Sequence, residues 1–440
     1  FQAFQAFQAF QAFQAFQAEP LTMNTTTASP SALPLTADMP AAARQGLRLL
    51  QRLQHGTLHL ELPDGKVLQL GRGQHPHASM CLHNWQVFAA VLRSGDIGLA
   101  EGYIAQDWST PHLADLLRLL MANRDALESL VYGGWWGRLA YRLRHLLNRN
   151  TRAGSRRNIH AHYDLGNDFY KLWLDPSMNY SSAWFQGDLQ GDLTEAQHAK
   201  VRRALHSAGV QPGQRVLEIG CGWGALAEMA AGEFQAQVTG VTLSTEQLAW
   251  GQQRMQAAGV APQVDLRLQD YRDIQDAPFD AICSIEMVEA VGQAYWPSYF
   301  GSVARLLKPG GRACIQSIVI DDALFERYVQ GTDFIQQYIF PGGCLPSPSR
   351  IRAAAQAAGL RVVEEFAFGY DYAETLRRWH QRFIQQRAQV QAQGFDERFQ
   401  RTWEFYLAYC EAAFDARSID VVQYTLIKDG ERPASSGTLL

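Results

Sequence analysis

Cysteine is scarce in this 440-residue sequence, and its six copies form no recognisable set. No two cysteines stand in a CxxC pair, and no histidines cluster at zinc-finger spacing. Disulfide frameworks and structural zinc sites both require close, repeated spacings of these residues. The pattern therefore predicts reduced thiols in a cytosolic compartment and no metal site. The six residues are Cys81, Cys221, Cys283, Cys314, Cys344 and Cys410.

The sequence also lacks an excess of positive charge. It has 39 Lys and Arg against 43 Asp and Glu, which gives a net charge of −4. This balance argues against a nucleic-acid-binding protein, and any anionic partner must meet a local basic patch. No apolar run approaches the roughly 20 residues that a helix needs to cross a bilayer, and no secretory signal is visible. We therefore expect a cytoplasmic protein of two or three domains.

Composition divides the chain into five parts. Residues 1–42 contain six copies of FQA and a stretch rich in Thr, Ser, Pro and Ala, which we interpret as an artefactual repeat and a disordered tail. Residues 43–130 predict a small α+β accessory domain, because GTLHLELPDGKVLQLG alternates apolar and polar residues around a Pro-Asp-Gly turn. A basic amphipathic linker follows at 131–158, then the main α/β domain at 159–430. Residues 431–440 read as a second disordered tail.

The linker combines arginines and tryptophans and has no acidic residue. A basic helix with interfacial aromatic residues suits the surface of anionic lipid headgroups. A solvated helix between two domains would explain the same composition equally well. The membrane interpretation rests on Trp135, Trp136, Arg138, Arg142, Arg144 and Arg149.

From Gly209 onward, strands and helices alternate. The stretches VLEI, AQVTGVTLS, VDLRLQD, FDAICSIEM and GRACIQSIVI predict five strands with helical segments between them. This order indicates a parallel sheet with helices on both faces. The residues that follow, to about Lys428, predict several amphipathic helices and one late strand, VVQYTLI.

The glycine-rich turn GCGWG (Gly220–Gly224) comes directly after the first of these strands. Open α/β sheets bind ligands at the carboxyl ends of their strands, and glycines allow a ligand to approach the backbone. Dinucleotide enzymes have similar turns, but three features favour S-adenosylmethionine over NAD. Glu218 precedes the turn, the turn is GCGWG rather than GxGxxG, and LQDY (Leu268–Tyr271) offers an Asp and an aromatic ring for adenine.

Seven ordered motifs then make a family resemblance specific. The sequence contains HYDLGNDFYKLWLDPSMNYSSAWF, QPGQRVLEIGCGWGALA, GVTLSTEQ, LQDYRD, SIEMVEAVG, YIFPGGCLPS and FGYDYAETLRRW. Together they resemble the cyclopropane-fatty-acyl-phospholipid synthase family and its mycolic acid cyclopropane synthase relatives, over roughly residues 160 to 427. The resemblance implies a class I methyltransferase, Rossmann-like doubly wound sheet with helical insertions. The first domain resembles the family's lipid-associated N-terminal α+β domain.

The resemblance and the strand ends together assign one group of residues to S-adenosylmethionine. The family transfers the donor's methyl group to a cis double bond of an acyl chain, which leaves a carbocation on the chain. A bound bicarbonate then removes a proton from the added methyl, and a ring closes. The assigned cofactor residues are Tyr180, Ser181, Glu218, Gly220, Gly222, Thr242, Leu243, Gln247, Gln269, Asp270, Tyr271 and Arg272.

A second group is assigned to the reaction itself. The resemblance places Glu289 and the Tyr372 hydroxyl on bicarbonate, together with the backbone N–H of Ile318 and the positions of Ser182 and Gln316. A carbocation also needs aromatic faces rather than nucleophiles. Aromatic side chains near the matched motifs are Tyr180, Trp184, Phe185, Tyr370 and Tyr372.

The sequence departs from the family pattern at three positions. Well-studied members carry Cys at the position of Ser182, His at that of Gln316, and often His at that of Ala290. Ser and Gln still offer hydrogen-bond donors, but weaker binding of bicarbonate would slow proton removal. The cation would then resolve by a hydride shift. The prediction is a cyclopropane product in membrane phospholipids, with a methylene- or methyl-branched chain as the alternative.

Two further alternatives stay open. One is a methyltransferase for a soluble small molecule, and the other is a non-catalytic lipid-binding protein with a degenerate cofactor fold. The basic linker argues against the first, and the intact GCGWG turn argues against the second. We expect a peripheral protein on the inner membrane face. Its expected partners are an unsaturated phospholipid and an anionic membrane surface, with no nucleic acid; a homodimer is one assembly that the sequence allows.

Overall fold

The computed structural model describes residues 39–73, 75–127 and 165–429, and its strands form two sheets. The smaller sheet belongs to residues 41–127, here called the front segment. Strands β1 (Thr57–Glu61) and β2 (Val67–Gly71) pair antiparallel, which confirms the predicted hairpin. Strand β3 (His77–Leu82) pairs parallel with β1, and the short β4 (Trp108–Ser109) pairs with β3. The helices here are α1 (Ala41–Leu50), α2 (Gln86–Ser94), α3 (Asp96–Ile104) and α4 (Leu113–Ala122).

The larger sheet has seven strands. They are β5 (Arg215–Ile219), β6 (Gln237–Thr242), β7 (Val264–Leu268), β8 (Phe279–Ile285), β9 (Leu307–Ile320), β10 (Leu360–Ala367) and β11 (Ile419–Lys428). Their order is β10-β11-β9-β8-β5-β6-β7. Strands β9, β8, β5, β6 and β7 are parallel, as predicted, and β11 and β10 add an antiparallel edge. The carboxyl ends of the parallel strands therefore meet along one edge of the sheet.

Two helices precede the first of these strands, and the others fill the connections between strands. They are α5 (Asn167–Lys171), α6 (Leu193–Ser207), α7 (Ala225–Gly232), α8 (Thr245–Ala257), α9 (Val288–Val291), α10 (Trp296–Leu306), α11 (Asp322–Val329), α12 (Phe334–Tyr338), α13 (Pro348–Ala357), α14 (Gly369–Gln385), α15 (Arg387–Ala392) and α16 (Glu397–Asp415). Three short 3-10 turns lie at Ala261–Gln263, Tyr271–Asp273 and Gln293–Tyr295.

The core lies on both faces of the large sheet. Alternate residues of each strand point to opposite faces, so Val216 packs with α6, α7 and α8, whereas Leu217 packs with α10 and α13. Both residues are fully buried. Helices on both faces of a mostly parallel sheet make this the doubly wound arrangement that the sequence predicts.

The sequence predicts one late strand rather than two, and β10 is the strand that it does not predict. The strand has the sequence LRVVEEFA, and most of its residues are exposed or only partly buried. Because it forms the outer edge of the sheet, it needs little of the apolar alternation by which a strand is identified. Its two glutamates instead pair with arginines, Glu364 with Arg203 and Glu365 with Arg352.

The front segment packs against helix α16 of the large sheet's region. Arg118 of α4 lies 3.2 Å from Glu411 and 2.9 Å from Asp415. The Tyr409 hydroxyl donates to Asp96 at 2.9 Å. These partly buried contacts fix α3 and α4 beside the cavity described below.

Candidate active site

The glycine-rich turn forms the floor of a cleft at the carboxyl end of β5. Gly220, Gly222 and Gly224 all have positive φ values, of 83°, 50° and 85°. This left-handed backbone is unfavourable for residues that carry a Cβ, and glycine adopts it without that cost. A Cβ built on Gly222 would meet no protein atom within 4 Å. The space beside Gly222 is therefore open to a ligand.

The cleft has a volume of about 180 Å³ and is lined by all twelve residues that the sequence assigns to the cofactor. Most of them follow the ends of β5, β6 and β7 directly, which explains why motifs far apart in sequence share one wall. Thr242 and Gln247 hydrogen-bond to each other at 3.0 Å, and Ser244 caps helix α8 through the backbone N–H of Gln247. Asp270 is buried and accepts two hydrogen bonds from the Arg272 guanidinium.

Glu218 shows that the cleft is suited to a cation. Its side chain is buried, and burial raises the pKa of Glu218 to about 8, although the charge of Lys200 opposes this. One carboxylate oxygen, Oε2, has no hydrogen-bond partner among the described residues. The ammonium group of a methionine moiety would supply both a donor and a positive charge there. The residues present therefore fit S-adenosylmethionine.

Helix α6 holds the loop that carries Tyr180 to Ser182. Lys200 is fully buried, and its ammonium donates to the Ser181 hydroxyl at 2.5 Å. Gln197, one turn earlier on α6, donates to the Ser181 carbonyl at 2.8 Å. Burial lowers the pKa of Lys200 to about 8, and the charges of Glu286, Asp175 and Glu218 oppose this. An ammonium in this position places positive charge behind the whole cleft.

Glu286, at the end of β8, is the centre of a polar network that sequence reasoning missed. Its Oε1 accepts hydrogen bonds from the Ser182 backbone N–H at 2.9 Å and from Gln316 Nε2 at 2.8 Å. Its Oε2 accepts from the Tyr372 hydroxyl at 2.7 Å. Glu286 also has a positive φ of 50°, which costs a non-glycine residue on the order of 1–3 kcal/mol. The first of the two glutamates in SIEMVE, three residues before Glu289, is the signal that could have revealed it.

Glu289 lies beside Glu286 and completes the carboxylate site, which we define as Ser182, Glu286, Glu289, Gln316, Ile318 and Tyr372. Its Oε1 accepts a hydrogen bond from the Ile318 backbone N–H. Its Oε2 is buried without a partner among the described residues. Burial first, and then the charge of Glu286, raises the pKa of Glu289 to about 8. Glu289 is therefore mostly neutral at pH 7.

The five predicted catalytic residues thus come together, but three of them meet around Glu286. Ser182, Gln316 and Tyr372 all donate to its carboxylate, and the Ser182 hydroxyl points away to the Ala183 carbonyl at 2.9 Å. A bicarbonate ion on these donors would have to displace Glu286. The residues present therefore do not fit the bicarbonate that the resemblance implies.

Three of the aromatic side chains expected near the cation lie elsewhere. The Phe185 ring packs against the Arg378 guanidinium, 4.7 Å from its centroid. Trp184 packs against Phe366, with ring centroids 5.3 Å apart. Tyr370 is 48% exposed and stacks with Arg417. The expectation is therefore wrong for these three residues.

A second cavity, of about 300 Å³, opens beside the carboxylate site. Its lining is mainly apolar and includes Leu324, Tyr328, Phe340, Leu345, Leu376 and Phe414. It also includes Glu286 and Glu289. Tyr180, Glu286 and Ala290 line both this cavity and the cofactor cleft, so the two spaces share one wall.

Within residues 39–73, 75–127 and 165–429, no cluster of three or more His, Cys, Asp or Glu side chains could hold a metal ion. In the same ranges no helix is both long and apolar enough to cross a membrane. The membrane patch predicted from Trp135, Trp136, Arg138, Arg142, Arg144 and Arg149 lies outside the described residues.

Fold and cleft together define a class I, S-adenosylmethionine-dependent methyltransferase. Residues 150–424 match the family model for mycolic acid cyclopropane synthetase, and the chain belongs to this family. A cyclopropane synthase, CmaA1, whose structure is complexed with SAH and CTAB, has the same fold with a TM-score of 0.58 and 33% identity; the match covers 62% of this chain and 97% of that one. The family resemblance read from the sequence is confirmed.

Two curated relatives match most of the chain. The tuberculostearic acid methyltransferase UfaA1 of Mycobacterium tuberculosis is 41% identical over 90% of this chain and 93% of its own length. The cyclopropane-fatty-acyl-phospholipid synthase of Escherichia coli is 36% identical over 79% of this chain and 87% of its own length. The names describe two outcomes, one a methyl-branched and the other a cyclopropane fatty acid.

Proposed function

We propose that this enzyme transfers a methyl group from S-adenosylmethionine to a cis double bond in an acyl chain of a membrane phospholipid, and that the product is a methylene-branched chain. One observation carries the proposal. The cofactor cleft and the apolar cavity meet at Tyr180, Glu286 and Ala290. A methyl donor in the cleft would therefore face an acyl chain in the cavity.

Bound S-adenosylmethionine would supply an electrophilic methyl group. Gly220 and Gly222 would let it approach the backbone, and Glu218 would hold its ammonium group. Tyr271, which is buried and follows β7 in the motif LQDY, would face the adenine. These residues bind and orient the donor, so they account for affinity rather than for proton transfer.

The apolar cavity would hold the acyl chain in a fixed position and exclude water from the reacting carbons. An alkene is a weak nucleophile, so a fixed approach and the exclusion of water must supply much of the rate. Tyr180 and Tyr372 present aromatic rings to the cavity, and such rings stabilise a nearby cation. Glu286 adds a negative charge next to the same space. The cavity lining includes two thiols, Cys344 and Cys410. Burial raises the pKa of both, so they stay protonated and are weak nucleophiles toward the cation.

Slow proton removal favours the methylene-branched product. A ring closes when a proton leaves the added methyl before the cation moves along the chain. A hydride shift moves the cation to the carbon that bears the methyl. Proton loss from that methyl then gives a methylene branch. Burial raises the pKa of Glu286, and its three hydrogen bonds oppose that rise and hold the carboxylate in one position. The 41% identity to a tuberculostearic acid methyltransferase supports a branched chain rather than a ring.

A cyclopropane ring is the second candidate product. The relative from Escherichia coli and the structural neighbour CmaA1 both carry cyclopropane synthase in their names. The two products are isomers of equal mass, so chemistry must distinguish them. Fatty acid methyl esters from cells that express the protein should be cleaved by ozone at the branch to give a ketone. Ozone-resistant esters of the same mass would establish the ring, and the absence of any methylated ester would refute the proposal.

We also propose that the enzyme acts as a peripheral protein on the cytoplasmic membrane face. The arginines and tryptophans of residues 131–158 support this. The name of the Escherichia coli relative, which contains the word phospholipid, supports it as well. Changing Arg138, Arg142, Arg144 and Arg149 to Glu should weaken sedimentation with anionic vesicles, while binding to neutral vesicles stays low. Binding of the unaltered protein that does not respond to salt would contradict this proposal.

A further inference from the structure

We propose that the Glu286 carboxylate is the built-in base that takes the proton from the added methyl group, in place of a bicarbonate ion. This inference rests on the proposed methyl transfer, because without that reaction there is no proton to remove. It concerns a residue that the family resemblance does not assign.

The donors around Glu286 are the groups expected for bicarbonate. Ser182, Gln316 and Tyr372 reach it from three separate parts of the chain, at 2.9, 2.8 and 2.7 Å. A carboxylate and a bicarbonate both present two oxygens in one plane to such donors. The side chain therefore occupies the hydrogen-bonding positions that the ion would use.

The backbone of Glu286 gives independent support. Its φ of 50° lies in the left-handed region, where glycine is favoured over any residue with a Cβ. Strained residues of this kind persist where the surroundings hold them, and they concentrate at active sites. Strand β8 ends at Ile285, and the left-handed turn begins at the next residue. This position lets the side chain enter both the cleft and the cavity.

The charges around Glu286 distinguish it from Glu289. Burial raises the pKa of Glu286, while Lys200 and the bonds from Ser182, Tyr372 and Gln316 oppose the rise. Glu289 has fewer partners for its charge, and its pKa rises to about 8. When two adjacent carboxyls have such different surroundings, one is the charged base and the other stays neutral. Both oxygens of Glu286 accept hydrogen bonds from its three donors, so Glu286 is the charged member.

The proton transfer balances without any further reactant. An oxygen of Glu286 takes a proton from the added methyl group, and the C–H bond breaks. The electron pair of that C–H bond becomes the second bond of the methylene branch, which neutralises the cation on the adjacent carbon. If the cation has not moved, the same pair closes the ring. Glu286 is then a neutral acid, and it returns its proton to water when the product leaves.

The decisive variant is Glu286→Gly, which removes the carboxylate and suits the left-handed backbone. In carbon-dioxide-free buffer its turnover should fall by about 100-fold, the scale of a lost general base. Added bicarbonate should raise the turnover of this variant at least about tenfold, because Ser182, Gln316 and Tyr372 become available to the ion. The Glu286→Gln variant should lose as much activity and should not be rescued, since its amide fills the same place. Labelled bicarbonate should show binding to Glu286→Gly by NMR and none to the unaltered enzyme.

The unaltered enzyme provides the opposing test. It should methylate acyl chains equally well with and without bicarbonate. Methylation only in the presence of bicarbonate would overturn the role of Glu286 while leaving the proposed function intact, as would full activity of Glu286→Gln. No methylation under either condition would overturn the proposed function, and this inference with it. Thermal unfolding and S-adenosylmethionine calorimetry on each variant separate these outcomes from a failure to fold.

Discussion

The cofactor cleft and the carboxylate site share a wall but are assembled in different ways. The cleft takes most of its residues from three short stretches, 218–222, 242–247 and 269–272, each at the end of a parallel strand. The carboxylate site instead joins residues that lie 30, 86 and 104 positions apart. A local motif carries its own geometry, whereas a site built from distant segments acquires its geometry only on folding. The first can therefore be read from sequence more completely than the second.

The substitution with the largest expected effect alters the cofactor cleft alone. Gly222→Val places a branched side chain in the open space beside the turn, so S-adenosylmethionine should bind about 100-fold more weakly, or by about 2.8 kcal/mol. Isothermal titration calorimetry measures this directly. The matched control is Gly213→Val, because Gly213 also has a positive φ, of 78°, and an open Cβ position but lies outside the cleft. Equal affinities for the two variants would show that the cleft is not the cofactor site.

A second substitution should have a smaller effect, but it should alter both the cofactor cleft and the carboxylate site. Lys200→Met removes the ammonium that holds Ser181 and whose charge lowers the pKa of both Glu286 and Glu218. We expect kcat/KM to fall by roughly 30-fold, about 2 kcal/mol, the scale of a hydrogen bond to a charged group. The acidic limb of the pH–rate profile should move to higher pH, since a base with a raised pKa is protonated sooner.

The control for this change lies on the same helix. Arg202 pairs with Glu233 on the surface, so Arg202→Met should leave the pH profile unchanged. If Lys200→Met shifted no limb of the profile, the two sites would not share one electrostatic support.

The smallest effect should sharpen the distinction between the two carboxyls. Glu289→Gln resembles the neutral acid, so turnover at pH 7 should fall by less than about tenfold. In the unaltered enzyme, activity should decline as pH rises through about 8, because Glu289 then ionises beside Glu286. The variant should lack this decline. If Glu289→Gln kept the decline at alkaline pH, the decline would belong to another titrating group.

The same variant should alter the pH dependence of stability. The folded-state pKa of Glu289 is raised from 4.5 to about 8, so the folded protein binds this proton more tightly than the unfolded chain. The contribution to stability is fully present below pH 4.5 and is lost as pH rises through about 8. Chemical denaturation across this range should show a weaker decline for Glu289→Gln than for the unaltered enzyme.

These contrasts show what the sequence can and cannot predict. The parallel sheet follows from strand–helix alternation, and the family follows from seven motifs, because both are recorded in local patterns. Strand β10 is missed because an exposed edge strand needs little apolar periodicity. Glu286 is missed because nothing in SIEMVE states that Ser182, Gln316 and Tyr372 will converge on its first glutamate. Hydrogen bonds between distant segments are a property of the packed chain.

The three hydrogen bonds to Glu286 also have a consequence for the conditions under which the enzyme works. A base that belongs to the chain has a fixed effective concentration at the reacting carbon, whereas a dissolved ion must be captured in every cycle. Low carbon dioxide would deplete such an ion but would leave a side chain in place. One residue at the end of a strand would thus free lipid methylation from the supply of inorganic carbon.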